Sequence, residues 1–154
     1  MEKTQVIEFL RNFNMTDKII NEFLENKKII TKNNNVYLSE KEFDNNQIMG
    51  GEILFVNLTK QLPSKFLLKF IKEKTKALNI KNSKRASDFT YGESVKQESF
   101  SNANNLKQDV FYIIEHKGEI LGYANFFNKQ LHNIMNIGEY LQEKKEASNK
   151  RINF

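Results

Sequence analysis

Residues 110–145 constrain the fold more than any other stretch, because turn residues, strand periodicity and a helix-capping pattern agree there. The β-branched and aromatic residues at 110–115 are typical of a half-buried strand. Residues 116–119 include the glycine needed to fold the chain back into a hairpin. The return strand is predicted over 120–127, with a bulge or a close backbone approach at Gly122. This pattern predicts a small barrel that closes onto a basic tail.

The end of the same stretch carries a third strand and the start of a helix. Residues 131–135 are predicted as a short strand. Asn136 is suited to cap a helix, because its side chain can accept a bond from the first turn. Glu139, three residues later, completes an approximate capping box, and Ile137 begins the apolar face of this helix.

Composition narrows the classes of protein to which the chain can belong. The 154 residues carry a net charge of +5, and thirteen Phe and five Tyr supply enough ring surface for a packed core. Because there is no cysteine, the sequence excludes disulfides, thiolate zinc sites, iron–sulfur clusters and a cysteine nucleophile. There is no long apolar run, so we expect neither a signal peptide nor a membrane span. We therefore expect the protein to be soluble and intracellular.

The first part of the chain predicts short helices and strands. Residues 3–13 have helical apolar spacing, and Thr16 is placed to cap a second helix. The asparagines at 33–35 separate two short strand-like runs and favour a hairpin, because Asn tolerates positive φ. Ser39 is expected to cap a brief helix, and residues 52–58 to form a buried strand.

Positive charge is concentrated between residues 60 and 85. This segment holds nine basic residues and one acid, a net charge of +8, which leaves −3 for the rest of the chain. Pro63 is predicted at the first position of a helix. On that helix Lys65, Lys69 and Lys72 face away from the apolar stripe and form a lysine ridge. The ridge is either a binding surface or a solvated helix face.

The chain is expected to divide into an N-terminal domain over residues 1–76 and a C-terminal domain over residues 77–154. Residues 77–80 are predicted as a strand that leads into the second domain. Residues 81–88 then form a polar, basic connection, and residues 89–92 form a strand that runs into a turn.

No pattern in the sequence indicates catalysis. The six glycines form neither a phosphate-binding loop nor a dinucleotide fingerprint, and no two carboxylates stand out as general acid and base. His116 and His132 have no acidic partner at ligand spacing, so neither is assigned to a metal. We therefore expect a non-enzymatic binding protein with no cofactor and no small-molecule substrate.

Three segments of the second half occur in the order and at the spacing of a known family. They are residues 89–96 (FTYGESVK), 118–122 (GEILG) and 136–141 (NIGEYL). With these segments the chain resembles a PUA domain, in particular that of the large-subunit ribosome biogenesis factors of the Nip-seven type. The resemblance covers residues 78–145, and in the first half only residues 36–41 (VYLSEK) are similar to the family.

The resemblance implies the α+β class, with an N-terminal α/β domain followed by a C-terminal PUA-like β pseudobarrel. Such proteins bind RNA without catalysis during rRNA processing and large-subunit assembly, and other assembly factors are expected partners. The location would be cytoplasmic in a prokaryote and nucleolar in a eukaryote. The chain departs from the family at Asn82, Ala124 and Gln142, where a proline, a glycine and an arginine are usual. The change at Gln142 removes one candidate RNA contact.

Eight residues are candidates for RNA contact. Basic side chains would neutralise phosphates, and Gly92 would let the ligand approach the backbone closely. Tyr91 and Tyr123 would offer stacking faces if exposed, although an aromatic residue in a strand is more often part of the core. The eight candidates are Lys84, Arg85, Tyr91, Gly92, Lys144, Lys145, Lys150 and Arg151.

Two other functions stay open. PUA domains also accompany pseudouridine synthases, transglycosylases and methyltransferases, so the chain is alternatively an RNA-modification accessory protein. The basic segment 60–85 alternatively contacts an acidic protein, which would make the chain an interaction adaptor.

Overall fold

The computed structural model describes residues 2–40 and 51–139, and these form a mixed α+β structure. Within them lie four α-helices, one 3₁₀ turn, two β-sheets and, at residues 137–139, the start of a further helix. Contacts divide the chain into two compact units, Met1–Lys76 and Ala77–Phe154. The predicted α+β class is confirmed. In the described ranges no helix is long and apolar enough to cross a membrane.

The described residues of the first unit, 2–40 and 51–76, form a four-stranded antiparallel sheet with three helices. Thr16 caps the second helix by accepting a hydrogen bond from the backbone N–H of Ile19, and Asn33 and Asn34 turn the first hairpin at φ of 51° and 64°. The predicted cap and hairpin are therefore confirmed. Along the chain the elements are α1 (Lys3–Arg11), α2 (Asp17–Leu24), β1 (Lys27–Lys32), β2 (Asn35–Glu40), β3 (Glu52–Asn57), β4 (Leu62–Pro63) and α3 (Lys65–Lys74).

Two helix starts predicted in the first unit are wrong. Pro63 lies in β4, and Ser64 instead caps α3, because its Oγ accepts the backbone N–H of Leu67 at 3.1 Å. Ser39 is buried in β2 opposite Lys28, and the next residue, Glu40, still pairs with β1, so no helix begins directly after Ser39. The helix expected after Ser39 falls within residues 41–50, which lie outside the described part of the chain.

Residues 77–139 of the second unit form a five-stranded sheet in the order β5-β7-β8-β9-β6, and within this range β5 and β7 pair in parallel while the other neighbours pair antiparallel. Lys117 and Gly118 make the β7–β8 turn at φ of 51° and 82°, which confirms the turn predicted at residues 116–119. The elements are β5 (Leu78–Asn79), α4 (Ser83–Thr90), β6 (Val95–Lys96), the 3₁₀ turn Gln97–Ser99, β7 (Phe111–His116), β8 (Glu119–Phe127) and β9 (Gln130–Asn136).

Gly122 explains how three long strands pack so closely. Its φ is +146°, and a Cβ added there would lie 1.9 Å from the carbonyl oxygen of Met135 on β9. The pairing of β7 with β8 also shifts between Ile114 and Glu115, opposite this glycine. The predicted bulge and close backbone approach at Gly122 are both confirmed.

Residues 83–90 form the helix α4, so the polar connection predicted at 81–88 and the strand predicted to start at Phe89 are wrong, whereas the turn predicted to follow that strand is present at Tyr91 and Gly92. Asn82 caps α4 by accepting the backbone N–H of Arg85 at 2.8 Å. Only Ala86 and Phe89 of this helix are buried, and both belong to the core of the unit. Two apolar residues three apart are too short a pattern to indicate a helix in a basic segment.

Candidate nucleic-acid interface

Helix α4 and the two residues that follow it carry four of the eight candidate RNA contacts. Lys84 and Arg85 lie in its first turn and are exposed, and Tyr91 and Gly92 follow its last residue. Lys84 and Tyr91 are seven residues apart, which is two helical turns, so their side chains leave the helix on the same face. Arg85 pairs with Asp88 at 3.5 Å, and this exposed ion pair leaves the guanidinium accessible.

Tyr91 is the most exposed large hydrophobic residue in the described part of the chain, at 85%. Its backbone is nevertheless fixed, because its N–H donates to the carbonyl oxygens of Ser87 and Asp88 at 3.3 and 3.1 Å. The N–H of Gly92 donates to the carbonyl oxygen of Phe89 at 3.0 Å. Tyr91 therefore presents a ring to solvent from a rigid base, which lowers the entropy lost when a planar ligand stacks on it.

A relay of amide side chains holds the Tyr91 loop from behind. Asn133 on β9 donates from Nδ2 to the carbonyl oxygens of Phe89 and Glu93, at 2.7 and 3.3 Å. Its Oδ1 accepts from Nδ2 of Asn136 at 3.2 Å, and Oδ1 of Asn136 accepts the backbone N–H of Gly138 at 2.9 Å. We call these four hydrogen bonds the asparagine relay. It joins both ends of the Tyr91 loop to the start of the C-terminal segment.

Gly138 brings that segment into close contact with α4. A Cβ added at Gly138 would lie 2.6 Å from the carbonyl oxygen of Thr90 and 2.8 Å from Oδ1 of Asn136. Residues 137–139 have helical backbone. The backbone N–H of Gly138 donates to Oδ1 of Asn136, which is the side-chain cap predicted for this helix. The segment that leads to the basic tail thus begins against the end of α4.

The other four candidates fall outside the residues that the structure describes. Lys144, Lys145, Lys150 and Arg151 belong to residues 140–154, so their part in RNA binding stays a prediction. The lysine ridge lies wholly on α3 in the first unit, where Lys65 and Lys69 are exposed and Lys72 is half-buried. Lys84 and Arg85 lie in the second unit, so the basic segment 60–85 is divided between the two units.

Tyr123 is not available for stacking. It is only 4% exposed on β8, and its ring lies 5.6 Å from that of Phe111. Burial, with a smaller contribution from the nearby Glu139 carboxylate, raises the pKa of Tyr123 from 10.0 to about 12. Of the two tyrosines proposed from sequence, only Tyr91 can offer a face to a base.

Both histidines take part in structural hydrogen bonds. His116 lies with Nδ1 2.8 Å from the carbonyl oxygen of Ile80 and Nε2 3.3 Å from Oγ of Ser83, which ties the β7–β8 turn to the start of α4. His132 lies with Nε2 3.0 Å from the carbonyl oxygen of Phe127. Across residues 2–40 and 51–139 no three His, Asp or Glu side chains are grouped so as to hold a metal ion.

Sequence reasoning missed the asparagine relay. Asparagine is abundant throughout the chain, so an individual asparagine carries little weight. One signal was present, because Asn is depleted in strands and Asn133 and Asn136 both lie in one strand at a spacing of three. Comparison with models of known protein families and with curated proteins finds no match to this chain.

Proposed function

We propose that the chain is a non-catalytic RNA-binding protein that acts in rRNA processing and large ribosomal subunit assembly. In this proposal the second unit is a PUA-like pseudobarrel and α4, with the loop that follows it, is its RNA surface. The order of the family-like segments supports the assignment to ribosome assembly. The exposed cations and ring around α4 support RNA as the ligand.

One observation carries the proposal: the 85% exposure of Tyr91 on a backbone fixed by the asparagine relay. A tyrosine that contributed to the core would be buried, as Tyr112 and Tyr123 are. An exposed ring on a rigid loop contributes little to folding and much to stacking. Base–aromatic stacking is worth about 1–3 kcal/mol per base.

The charges around Tyr91 fit the same ligand. Lys84 and Arg85 are exposed cations in the first turn of α4, about two helical turns before Tyr91, and cations of this kind neutralise the phosphates of a bound strand. The candidate cations of the basic tail would add to these contacts, since the segment that carries them begins against Thr90. Phosphate contacts position the RNA strand, and the base stacks with its flat face on the ring of Tyr91.

The test is fluorescence anisotropy with short single-stranded fragments of rRNA. Tyr91→Ala should weaken binding about 5- to 150-fold, which corresponds to the loss of one stacked base. Tyr91→Phe keeps the ring and should bind within about twofold of the wild type. Ile134→Ala is the control, because it removes another exposed apolar side chain, 41% exposed, from the same unit. Equal affinity of Tyr91→Ala and the wild type would contradict the proposal.

The assembly step is tested in cells. Crosslinking followed by sequencing should recover precursor rRNA of the large subunit with the wild type and much less of it with Tyr91→Ala. Recovery dominated by tRNA would favour the RNA-modification alternative, and methyl transfer or base exchange by the purified protein would establish it.

A second candidate function, the acidic-partner adaptor, is favoured by the surface of α3. Lys65 and Lys69 are exposed there, and Phe66 between them is 38% exposed while it stacks on Phe23 at 6.2 Å. A charged rim around a partly exposed ring is typical of protein interfaces. Pull-down with nuclease separates the two functions. Partners that persist after nuclease, and vanish in a Lys65→Glu/Lys69→Glu variant, would favour the adaptor.

A further inference from the structure

A groove of about 690 Å³ lies on the second unit, away from the eight residues proposed from sequence. Its walls are β6 with the 3₁₀ turn, residues 101–104 and the β8–β9 turn, and its floor includes the buried Phe100. Three of the described residues that line it are exposed lysines, Lys81, Lys96 and Lys129, and one is a carboxylate, Glu98. We call it the lysine groove.

The backbone holds the three lysines in place. Lys96 is paired with Gln130 across β6 and β9, and the N–H of Gln97 donates to the carbonyl oxygen of Lys129 at 3.0 Å. Lys81 reaches from the segment before α4 and donates from Nζ to the carbonyl oxygen of Glu98 at 3.4 Å. The backbone positions of the three lysines are thus set around one groove, and the ammonium group of Lys81 is bonded at its edge.

Lys129 stands where the turn itself favours glycine. Asn128 and Lys129 join β8 to β9 with φ of 54° and 61°, the geometry of a type I′ turn, for which Asn-Gly is the preferred pair. A lysine in this left-handed conformation destabilises the turn relative to glycine. A residue that adopts a backbone conformation it disfavours is a reason to look for a function in its side chain.

We propose that the lysine groove binds the sugar–phosphate backbone of RNA, as a second contact that extends the strand held at Tyr91. This inference rests on the proposed RNA-binding function. Lys96 follows Tyr91 by five residues, so their Cα atoms are no more than about 18 Å apart. A strand of a few nucleotides that stacks on Tyr91 therefore reaches the groove.

The chemistry of the groove favours phosphate over an acidic peptide. Its charged donors are lysines, which act as point charges on phosphate, and the described lining holds no arginine fork for a carboxylate. Amide side chains supply donors and acceptors for sugar hydroxyls. They belong to Gln97, Asn104, Asn128 and Gln130. Among the described residues that line the groove the one aromatic side chain is the buried Phe100, so the groove suits the sugar–phosphate backbone better than stacked bases.

The test measures the salt dependence of affinity for a single-stranded RNA of twelve nucleotides. Replacing Lys81, Lys96 and Lys129 with alanine should flatten the slope of log affinity against log salt by about 2, at roughly 0.7 for each phosphate contact. Between 50 and 200 mM salt the affinity of the variant should then change about 20-fold less than that of the wild type. A matched control replaces Lys28, Lys107 and Lys117, which are exposed lysines outside the groove, and should keep the wild-type slope.

Two single substitutions separate binding from folding. Lys129→Gly suits the turn better, so it should melt at or above the wild-type temperature and still weaken RNA binding several-fold. Glu98→Gln removes the carboxylate from the described lining and should tighten binding. Lys129→Gly with unchanged affinity would overturn the groove assignment.

The outcomes distinguish the two proposals. A wild-type slope in the triple variant, together with weaker binding by Tyr91→Ala, overturns the groove and leaves the proposed function standing. Loss of affinity for a ten-residue polyglutamate peptide in the triple variant, with RNA binding unchanged, assigns the groove to an acidic protein and overturns the inference. A wild-type protein that binds no RNA at all overturns both.

Discussion

Nδ2 of Asn133 donates a hydrogen bond to the carbonyl oxygen of Phe89 at 2.7 Å and so joins β9 to the last turn of α4, 44 residues earlier in the chain. The same nitrogen lies 3.3 Å from the carbonyl oxygen of Glu93, on the far side of the Tyr91 loop. One side chain thus holds both ends of the loop that presents Tyr91. The rigidity of the candidate RNA surface depends on this contact.

Asn133→Ala should lower the free energy of unfolding by about 2 kcal/mol, because it removes two side-chain hydrogen bonds, to the carbonyl oxygens of Phe89 and Glu93, of which the Phe89 oxygen keeps the N–H of Gly92. Urea denaturation measures this loss, and amide hydrogen exchange at Gly92 and Glu93 should become faster as the loop loosens. Ser94→Ala is the comparison, since it removes only the 3.3 Å bond from the backbone N–H of Asn133. Its effect should stay below about 1 kcal/mol. Equal losses in the two variants would contradict the role given to the Asn133 side chain.

Alanine at Gly122 should be much more destabilising than alanine at Gly92. Both glycines have positive φ, +146° and +98°, so each substitution strains the backbone by about 1–3 kcal/mol. At Gly92 nothing lies within 4 Å of the new Cβ, whereas at Gly122 the Met135 carbonyl oxygen lies 1.9 Å away. Only Gly122→Ala must push β8 and β9 apart, at a further cost of about 1–3 kcal/mol or more. Thermal melting of both variants tests the difference, and similar melting temperatures would refute it.

Stability should fall at high pH because of Tyr123. Its pKa is about 12 in the folded protein against 10.0 in the unfolded chain, so the unfolded state loses its proton first. The stabilisation is complete below pH 10 and is lost as the pH rises toward 12, at up to about 1.4 kcal/mol per pH unit. Tyr123→Phe cannot titrate, so the difference in unfolding free energy between the two proteins should shift with pH above 10. A constant difference from pH 8 to 11.5 would contradict the burial of a neutral Tyr123.

The C-terminal basic cluster of Lys144, Lys145, Lys150 and Arg151 is expected to contact RNA phosphates. Replacing all four with alanine should flatten the slope of log affinity against log salt by up to about 3. Melting should change little, because exposed charges contribute little to stability, and sequence preference should survive because base contacts specify it. Lysines near a helix C-terminus are also favoured by the macrodipole, so a wild-type slope in the quadruple variant would return the cluster to that role.

Where neighbouring residues decide the structure, the sequence was sufficient. The turns at Asn33–Asn34 and Lys117–Gly118, the Thr16 cap and the close approach at Gly122 were all predicted, and each depends on the conformational preference of one or two residues. The same holds for the hairpin of β7 and β8. The conformational preference of a turn or cap depends on the residue and its sequence neighbours, so it can be predicted without knowledge of the rest of the chain.

Tertiary structure alone decided the candidate site. Residues 83–90 have too few apolar positions to indicate a helix, yet Ala86 and Phe89 find a core built from strands that come later in the chain. Tyr123 is buried and Tyr91 is exposed because of what packs around each ring. Both residues are tyrosines, so residue type alone does not distinguish them. The asparagine relay and the lysine groove join residues about 30 to 50 positions apart. Such contacts form only when the whole unit buries its core, because burial, and no pattern of adjacent residues, brings those segments together.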